Sequence, residues 1–135
     1  MKQSWFRYLG LFDLLLVAGF VGFFGLPALT SSMVVPAMLL AGVSAILAGS
    51  VSRLTLGVVS VSWRYFVGVT YVLFALILPG NYLPRVLAGT ATASEWMLFV
   101  VGAVGGLSLL FYGVDVVRGG RHFEVDADVE RTVGW

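Results

Sequence analysis

The sequence contains no cysteine and a single histidine, His122. Without cysteine there are no disulfide bonds, no thiolate chemistry and no cysteine-based zinc site. One histidine cannot supply both axial ligands of a haem, and no second histidine stands near it to hold a metal. Phosphate-binding glycine loops are missing, and no Ser or Thr has a positioned base. We therefore expect no cofactor, no metal and no enzymatic activity.

Charged residues are scarce as well, at 11% of the chain, whereas hydrophobic residues make up 59%. Soluble domains are about 45–50% apolar and about 25% charged. A water-soluble fold of 135 residues could not bury this much apolar surface. The composition predicts an integral membrane protein whose immediate partner is membrane lipid.

Four apolar segments have about the 20 residues that a helix needs to cross roughly 30 Å of hydrocarbon. Their expected limits are 8–29, 33–50, 63–83 and 96–117. The Ser- and Thr-rich segment 51–62 is open to assignment: it extends the second span, precedes the third or lies in the membrane interface. Trp5, Trp63 and Trp96 stand at span ends, a position typical of an aromatic belt. The prediction is an all-α, polytopic four-helix bundle.

The basic residues predict the orientation of these spans. Lys and Arg accumulate on the cytoplasmic side of membrane proteins. With a cytoplasmic N-terminus, seven of the eight basic residues fall on that side: Lys2, Arg7, Arg53, Arg64, Arg118, Arg121 and Arg131. Only Arg85 falls on the other side. We therefore predict a multi-pass protein of the cell membrane with both termini in the cytoplasm.

A cleaved signal peptide is the alternative explanation of the first span, because Lys2 and Arg7 precede an apolar run. Asp13 interrupts this run, which is also long for a signal core. The small-residue cleavage pattern near Ala28 and Thr30 is poor. The sequence thus favours a retained transmembrane helix.

The two halves of the chain share a pattern of Trp, Gly and Ser. The matching residues are Trp5, Gly10, Gly42, Ser44 and Gly49 in the first half, and Trp63, Gly68, Gly106, Ser108 and Gly113 in the second. The pattern predicts two tandem helical hairpins, repeats 5–53 and 63–118, within a transmembrane unit of residues 1–122. Parallel repeats of this kind are related by an axis along the membrane normal. The alternative is a chance match between residues common in membrane spans.

Small residues four positions apart allow helix backbones to approach closely in lipid. Such rows occur in three spans: Ala37, Ala41, Ala45 and Gly49 in the second, Gly102 and Gly106 in the fourth, and Ala18 and Gly22 in the first. We expect these rows to pack helices within the chain. Self-association into a homo-oligomer, or packing against other subunits of a membrane complex, is the alternative use.

A small set of polar residues is expected at one depth in the apolar zone. Asp13 lies about 9 Å inward from Arg7 at 1.5 Å per residue. The predicted buried polar network comprises Asp13, Tyr71, Tyr112, Asp115 and Arg118. Its structural interpretation has Asp115 paired with Arg118 or Arg7 and the network orienting the helices. Its functional interpretation makes Asp13 a proton or cation site.

The segment 123–135 forms an acidic C-terminal tail on the cytoplasmic side. Apolar and acidic residues alternate from Phe123 to Glu130, which is a strand pattern. The tail adds to a partner's sheet with its apolar face and Trp135, packs on the basic rim, or stays loosely packed. Its acids lack the spacing of a calcium loop. Nucleic acid is excluded as a partner, because no basic patch lies beyond the membrane rim.

Three function classes follow from these features. The first is a non-enzymatic structural, scaffold or assembly subunit of a membrane complex or envelope. The second is a small oligomeric transporter or channel that uses Asp13. The third is an accessory subunit of a membrane enzyme whose active site lies in another chain. Short loops and missing motifs favour the first class.

Overall fold

The computed structural model describes residues 2–31, 33–122, 124–130 and 132–134. These residues form helices α1 (Trp5–Phe24), α2 (Ala28–Ser31), α3 (Val34–Ser50), α4 (Trp63–Leu87) and α5 (Ala93–Val117), and strands β1 (Arg53–Leu56), β2 (Val59–Ser62) and β3 (Thr132–Gly134). Phe123, Arg131 and Trp135, which the sequence analysis places in the tail, lie outside the described residues.

Three helices are long and apolar enough to cross a membrane: α1, α4 and α5. The fourth apolar helix, α3, is shorter, with 17 residues. The first predicted span extends too far, because α1 ends at Phe24. Gly25 follows with φ of 85°, a conformation that favours glycine, and the chain then forms the short helix α2.

Helix α4 continues through two prolines and past residue 83, the predicted limit of the third span. Pro79 and Pro84 both lie inside α4, which ends only at Leu87. Each proline removes one backbone donor, and a helix in a membrane protein tolerates this loss where its neighbours compensate. The loop to α5 is therefore shorter than predicted. Thr92 closes it with a capping box to Glu95 at the start of α5.

The long helices pack in chain order: α1 on α3, α3 on α4, and α4 on α5. Among the described residues α1 and α5 do not pack along their lengths, so the four helices form an open row. Lipid can cover the free faces of such a row. The starts of α1 and α4 and the ends of α3 and α5 lie together with the first and last described residues, 2 and 134; we call this the terminal end, and the opposite end the loop end.

Burial in this fold is inverted relative to a soluble protein. Large apolar side chains are exposed on every long helix, with Phe23 84% and Leu107 67% accessible. Buried polar side chains lie between the helices instead: Gln3, Asp13, Ser44, Thr70 and Asp115. Soluble monomers rarely expose apolar patches of this extent. The chain is thus a helical protein of the multi-pass membrane type.

A small sheet at the terminal end corrects the prediction of an all-α chain. The segment 51–62, left open by the sequence, forms an antiparallel hairpin in which β1 pairs with β2, Leu54 facing Val61. Gly57, with φ of 62°, permits the tight turn. Alternating Val and Ser in β2 suit a strand, whereas the Ser- and Thr-rich composition gives no clear helical period.

The tail pairs with this chain's own hairpin. Strand β3 lies parallel to β1 and completes the sheet order β2–β1–β3. The alternating segment forms no strand over its described residues, 124–130, where Asp126 makes an isolated bridge to Lys2. The alternating residues instead place Val125 in the core, so contacts with the helix ends override the strand pattern.

A compact apolar core joins all four long helices to the tail at the terminal end. Its buried members are Phe6, Ala48, Trp63, Val67, Val116 and Val125. Trp63 is 5% exposed, so it belongs to this core and not to an aromatic belt. Trp5 and Trp96 are exposed, at the terminal end and the loop end respectively.

Candidate functional site

The seam between α1 and α3 depends on glycine. A Cβ atom on Gly10 would lie 2.4 Å from the carbonyl oxygen of Gly42, and one on Gly49 would lie 2.2 Å from the backbone nitrogen of Arg7. Real Cβ atoms essentially never come this close to another atom. The two backbones can therefore meet only because these positions lack side chains.

The seam between α4 and α5 uses the corresponding positions of the second half. A Cβ atom on Gly106 would lie 2.6 Å from the carbonyl oxygen of Ala75. One on Gly68 would lie 2.6 Å from a methyl carbon of Val117, and one on Gly113 would lie 3.0 Å from the Cβ of Tyr71. All six glycines of the shared sequence pattern thus lie in the two hairpin seams.

The other predicted packing residues lie on the same helices. Ala41 and Ala45 are fully buried in α3, Ala37 is half-buried nearer the loop end, and Gly102 is buried in α5. Burial of the row increases toward the terminal end of α3. The helices therefore pack most closely at the terminal end.

Asp13 lies in the α1–α3 seam, apart from the other members of the predicted polar network. The residue is 3% exposed, and its Oδ2 would lie 2.9 Å from a Cβ atom placed on Gly42. Oδ2 is buried without a hydrogen-bond partner among the described residues. A buried carboxylate oxygen without a donor is costly, which makes Asp13 a candidate for a role beyond packing.

Tyr71 and Tyr112 meet in the α4–α5 hairpin, where the sequence analysis expects them. Their phenol groups lie close enough to interact electrostatically. The Tyr71 ring also packs edge-on against Phe6, with ring centres 6.1 Å apart. Tyr71 therefore links the second hairpin to the start of α1, and it occupies the position in the second half that Asp13 occupies in the first.

Asp115 is bound to His122, a residue that the sequence analysis leaves out of the network. The Asp115 Oδ2 accepts a hydrogen bond from the His122 backbone N–H at 2.9 Å, and Oδ1 lies 3.1 Å from the imidazole Nδ1. Gly119 and Gly120, with φ of 116° and 70°, turn the chain back after α5. Arg118 is the C-cap residue of α5 and is exposed beside this turn.

Gln3 is a fully buried polar residue that sequence reasoning missed. Its side-chain amide donates to the carbonyl oxygens of Ala48 at 2.8 Å and Val51 at 3.0 Å. The last carbonyls of a helix have no partner within the helix. Gln3 therefore caps the end of α3 from the segment that begins α1. A single Gln in a polar N-terminal segment gives no signal for such a contact.

A second polar contact joins the two hairpins through α3 and α4. The Ser44 hydroxyl donates to the carbonyl oxygen of Phe66 at 2.9 Å, and the Thr70 hydroxyl donates to the same oxygen at 2.8 Å. Hydroxyl groups are common bridges between membrane helices, where they contribute about 0.6 kcal/mol on average. Ser44 and Thr70 are thus satisfied by backbone and do not line a polar path.

The tail is fastened to the start of α1 by its acidic residues. The Gln3 backbone N–H donates to the carbonyl oxygen of Asp126 at 2.8 Å. The Asp128 carboxylate accepts from the Ser4 backbone N–H at 2.8 Å and from the Ser4 hydroxyl at 2.5 Å. These two donors hold the pKa of Asp128 below its usual range. A carboxylate at a helix N-terminus also complements the helix dipole.

Most of these polar groups serve the fold. Gln3, Ser44 and Asp128 connect elements, and Thr70 bonds within α4. Two buried oxygens, Asp13 Oδ2 and Gln3 Oε1, have no hydrogen-bond partner among the described residues. The exposed Arg118, beside His122, marks a basic surface at the end of α5. Across the residues that the structure describes, no group of three His, Asp or Glu side chains could hold a metal ion.

The comparisons with known proteins give a family but no activity. No curated protein and no solved structure matches the chain. A family of unknown function, DUF7994, matches residues 1–129, which include every helix and the β1–β2 hairpin. The chain belongs to the DUF7994 family.

Proposed function

We propose that the chain is a four-span membrane protein with both termini in the cytoplasm, which acts as a non-enzymatic structural, scaffold or assembly component of a membrane complex or envelope. In this proposal α3, about 25 Å long at 1.5 Å per residue, spans the membrane together with its longer neighbours. The distribution of basic residues supports the orientation. The terminal end carries Lys2, Arg7, Arg53, Arg64, Arg118 and Arg121, and the loop end carries Arg85.

The observation that carries this proposal is the use made of the interior polar groups. Gln3 and Ser44 bond to backbone carbonyls of neighbouring helices, and Thr70 bonds to a carbonyl of its own helix α4, so these groups are used within the fold and leave few groups for chemistry. The outer helices α1 and α5 each keep an apolar face that no other long helix of the described chain covers. Those faces provide contact area for a second copy or for other membrane subunits.

Gentle solubilisation followed by native mass spectrometry tests the proposal. We expect a defined homo-oligomer or a complex with other membrane chains. A uniform monomer at all protein concentrations, with no other chain recovered, would contradict the scaffold role. Gly19→Phe offers a perturbation of the outer face of α1, because no atom lies within 4 Å of a Cβ at that position. It should shift the assembly without unfolding the chain.

A second candidate function is transport, and one observation favours it. The carboxyl of Asp13 is buried between α1 and α3 beside the backbone of Gly42, and its Oδ2 forms no hydrogen bond of ordinary geometry with a described residue. Ionisable groups inside a membrane bundle are candidates for proton or cation sites. The test is proton and cation flux into vesicles that contain the purified protein, compared with Asp13→Asn. Flux that the substitution abolishes would favour transport. Altered assembly with no flux in either protein would favour the scaffold role.

A further inference from the structure

A basic cavity of about 600 Å³ lies at the end of α5. Its walls are formed by Phe111, Val114, Asp115, Arg118, Gly119, Arg121 and His122. Its lining combines the apolar residues Phe111 and Val114 with two arginines and a histidine, Arg118, Arg121 and His122. The cavity exists because Gly119 and Gly120 reverse the chain and bring His122 back to Asp115.

The charges around this cavity favour an anion. The one carboxylate in its wall, Asp115, is already bound to His122. Neither Arg118 nor Arg121 forms an ion pair with any carboxylate of the described chain. Arg64 adds a further positive charge, since its guanidinium nitrogen would lie 3.4 Å from a Cβ atom on Gly119. Glu124 lines a separate, smaller cavity together with Arg64.

An apolar cavity of about 380 Å³ adjoins the basic one. It is lined by Tyr65, Gly68, Val69, Val72, Leu73, Gly113, Val114, Val117 and Arg118. Val114 and Arg118 line both cavities, so the two are neighbours on α5. The apolar cavity follows α4 from Tyr65 to Leu73, which is about 12 Å at 1.5 Å per residue. It leads from the terminal end into the apolar zone.

We infer that these two cavities form one binding site for an anionic phospholipid. The phosphate group lies in the basic cavity between Arg118, Arg121 and His122, and a hydrocarbon chain lies along the apolar cavity. The inference depends on the membrane insertion proposed above and adds a specific ligand to it.

The chemistry of the site fits a lipid phosphate in three respects. Guanidinium groups bind phosphate through paired N–H donors that match its oxygens. Basic pockets at the ends of membrane helices lie at the depth of lipid headgroups. The adjoining apolar cavity has almost no polar surface. It therefore favours a hydrocarbon chain and provides no contacts for a soluble phosphate compound.

The test uses purified, delipidated full-length protein in mild detergent and native mass spectrometry of bound lipid. Phosphatidylglycerol is compared with phosphatidylcholine of the same chain length, and glycerol phosphate is added separately as a headgroup without chains. We expect retention of phosphatidylglycerol to exceed that of phosphatidylcholine by about tenfold, which corresponds to about 1.4 kcal/mol. Glycerol phosphate should neither bind measurably nor displace the lipid.

Three variants assign the effect to the site. Arg118→Gln combined with Arg121→Gln should lower phosphatidylglycerol retention to the phosphatidylcholine level. Val72→Trp, which fills the apolar cavity, should lower retention of both lipids. Arg53→Gln removes an exposed arginine from the same end, outside both cavities, and should change nothing. Thermal unfolding of each variant reports whether it folds, and Arg121→Gln alone replaces the double variant if that one unfolds.

Equal retention of the two lipids by the unaltered protein would overturn the inference. So would a loss in Arg53→Gln as large as the loss in the double variant. Tight glycerol phosphate binding that depends on Arg118 and Arg121 would show a site for soluble phosphate instead of lipid. Failure of the chain to enter membranes would appear separately, as protein recovered without detergent, and would count against the proposed function.

Discussion

The side-chain amide of Gln3 donates a hydrogen bond to the carbonyl oxygen of Ala48, 2.8 Å away. Gln3 precedes α1, so the segment before the first helix caps the C-terminal end of α3. The same amide reaches Val51. Both partners are buried, so neither carbonyl can turn to water if Gln3 is removed. One side chain thus couples the N-terminal segment, the end of a helix and the hairpin that follows it.

Replacing Gln3 with Ala should lower the free energy of unfolding by about 1–3 kcal/mol, the cost of leaving buried polar groups unpaired. Thermal unfolding in detergent measures the loss. Lys2→Ala is the matched control, because Lys2 is exposed and its bridge to Asp126 uses backbone only. Equal stability of the Gln3 variant and the control would show that the cap contributes nothing.

Two adjacent glycines of α5 provide a test of the helix seams. Gly106→Ala places a Cβ atom 2.6 Å from the carbonyl oxygen of Ala75 and should destabilise the chain by about 1–3 kcal/mol. Gly105→Ala meets no atom within 4 Å. That substitution should leave stability unchanged or raise it by about 0.5–1 kcal/mol, since alanine is the better helix former. If Gly105→Ala were less stable than Gly106→Ala, α5 would have to present a different face to α4.

Asp115 should stabilise the turn after α5. Asp115→Ala leaves the His122 backbone N–H without its acceptor and should cost about 1–3 kcal/mol. Asp115→Asn keeps an oxygen acceptor for that N–H and should cost less. Hydrogen exchange of residues 119–122 measures the effect locally, with faster exchange expected for Ala than for Asn. Unchanged exchange in both variants would argue against the Asp115–His122 contact.

Attachment of the tail should depend on pH through Asp128. Because the Ser4 donors hold the pKa of Asp128 below its usual value, this contact stabilises the folded state above the unfolded pKa of about 3.9. The stabilisation is lost as the pH falls through the lower, folded-state pKa. At neutral pH the tail should therefore be docked, and in strong acid it should detach.

Spin labels at Val58→Cys and Glu130→Cys measure this docking as a distance, and the chain contains no native cysteine to interfere. The distance should lengthen in acid, and Asp128→Asn should show a longer distance at neutral pH too. Glu124→Gln, a neighbouring acid without a contact to Ser4 among the described hydrogen bonds, should behave as the unaltered chain. A pH response that survives in Asp128→Asn would assign the effect to another group.

The apolar elements could be predicted from the sequence because their signal is local. Apolar runs of suitable length place α3, α4 and α5 close to their observed limits, and glycine spacing marks positions that prove to lie in the seams. The third span is predicted to end at residue 83, whereas α4 passes through Pro79 and Pro84 and ends at Leu87. A proline removes one backbone hydrogen-bond donor, and whether the helix ends at that proline depends on the residues packed around it.

The contacts at the terminal end could not be predicted because they depend on tertiary geometry. Gln3 meets Ala48 only once α1 and α3 are packed, and His122 meets Asp115 only through the turn at Gly119 and Gly120. The β1–β2 hairpin carries a weak signal in its alternating Val and Ser, but the parallel addition of β3 carries none. Asp13 was recognised as buried, yet its separation from Tyr112 and Asp115 was not foreseen.

We propose that the terminal end of this multi-pass membrane protein faces the cytoplasm, and cysteine labelling in intact cells tests this orientation most directly. Val58→Cys lies at the fully exposed tip of the β1–β2 hairpin, and Thr90→Cys lies in the exposed α4–α5 loop at the other end. A membrane-impermeant maleimide should label Thr90→Cys in intact cells and Val58→Cys only after permeabilisation. Labelling of both positions from the same side, or recovery of the chain in the soluble fraction, would contradict the account.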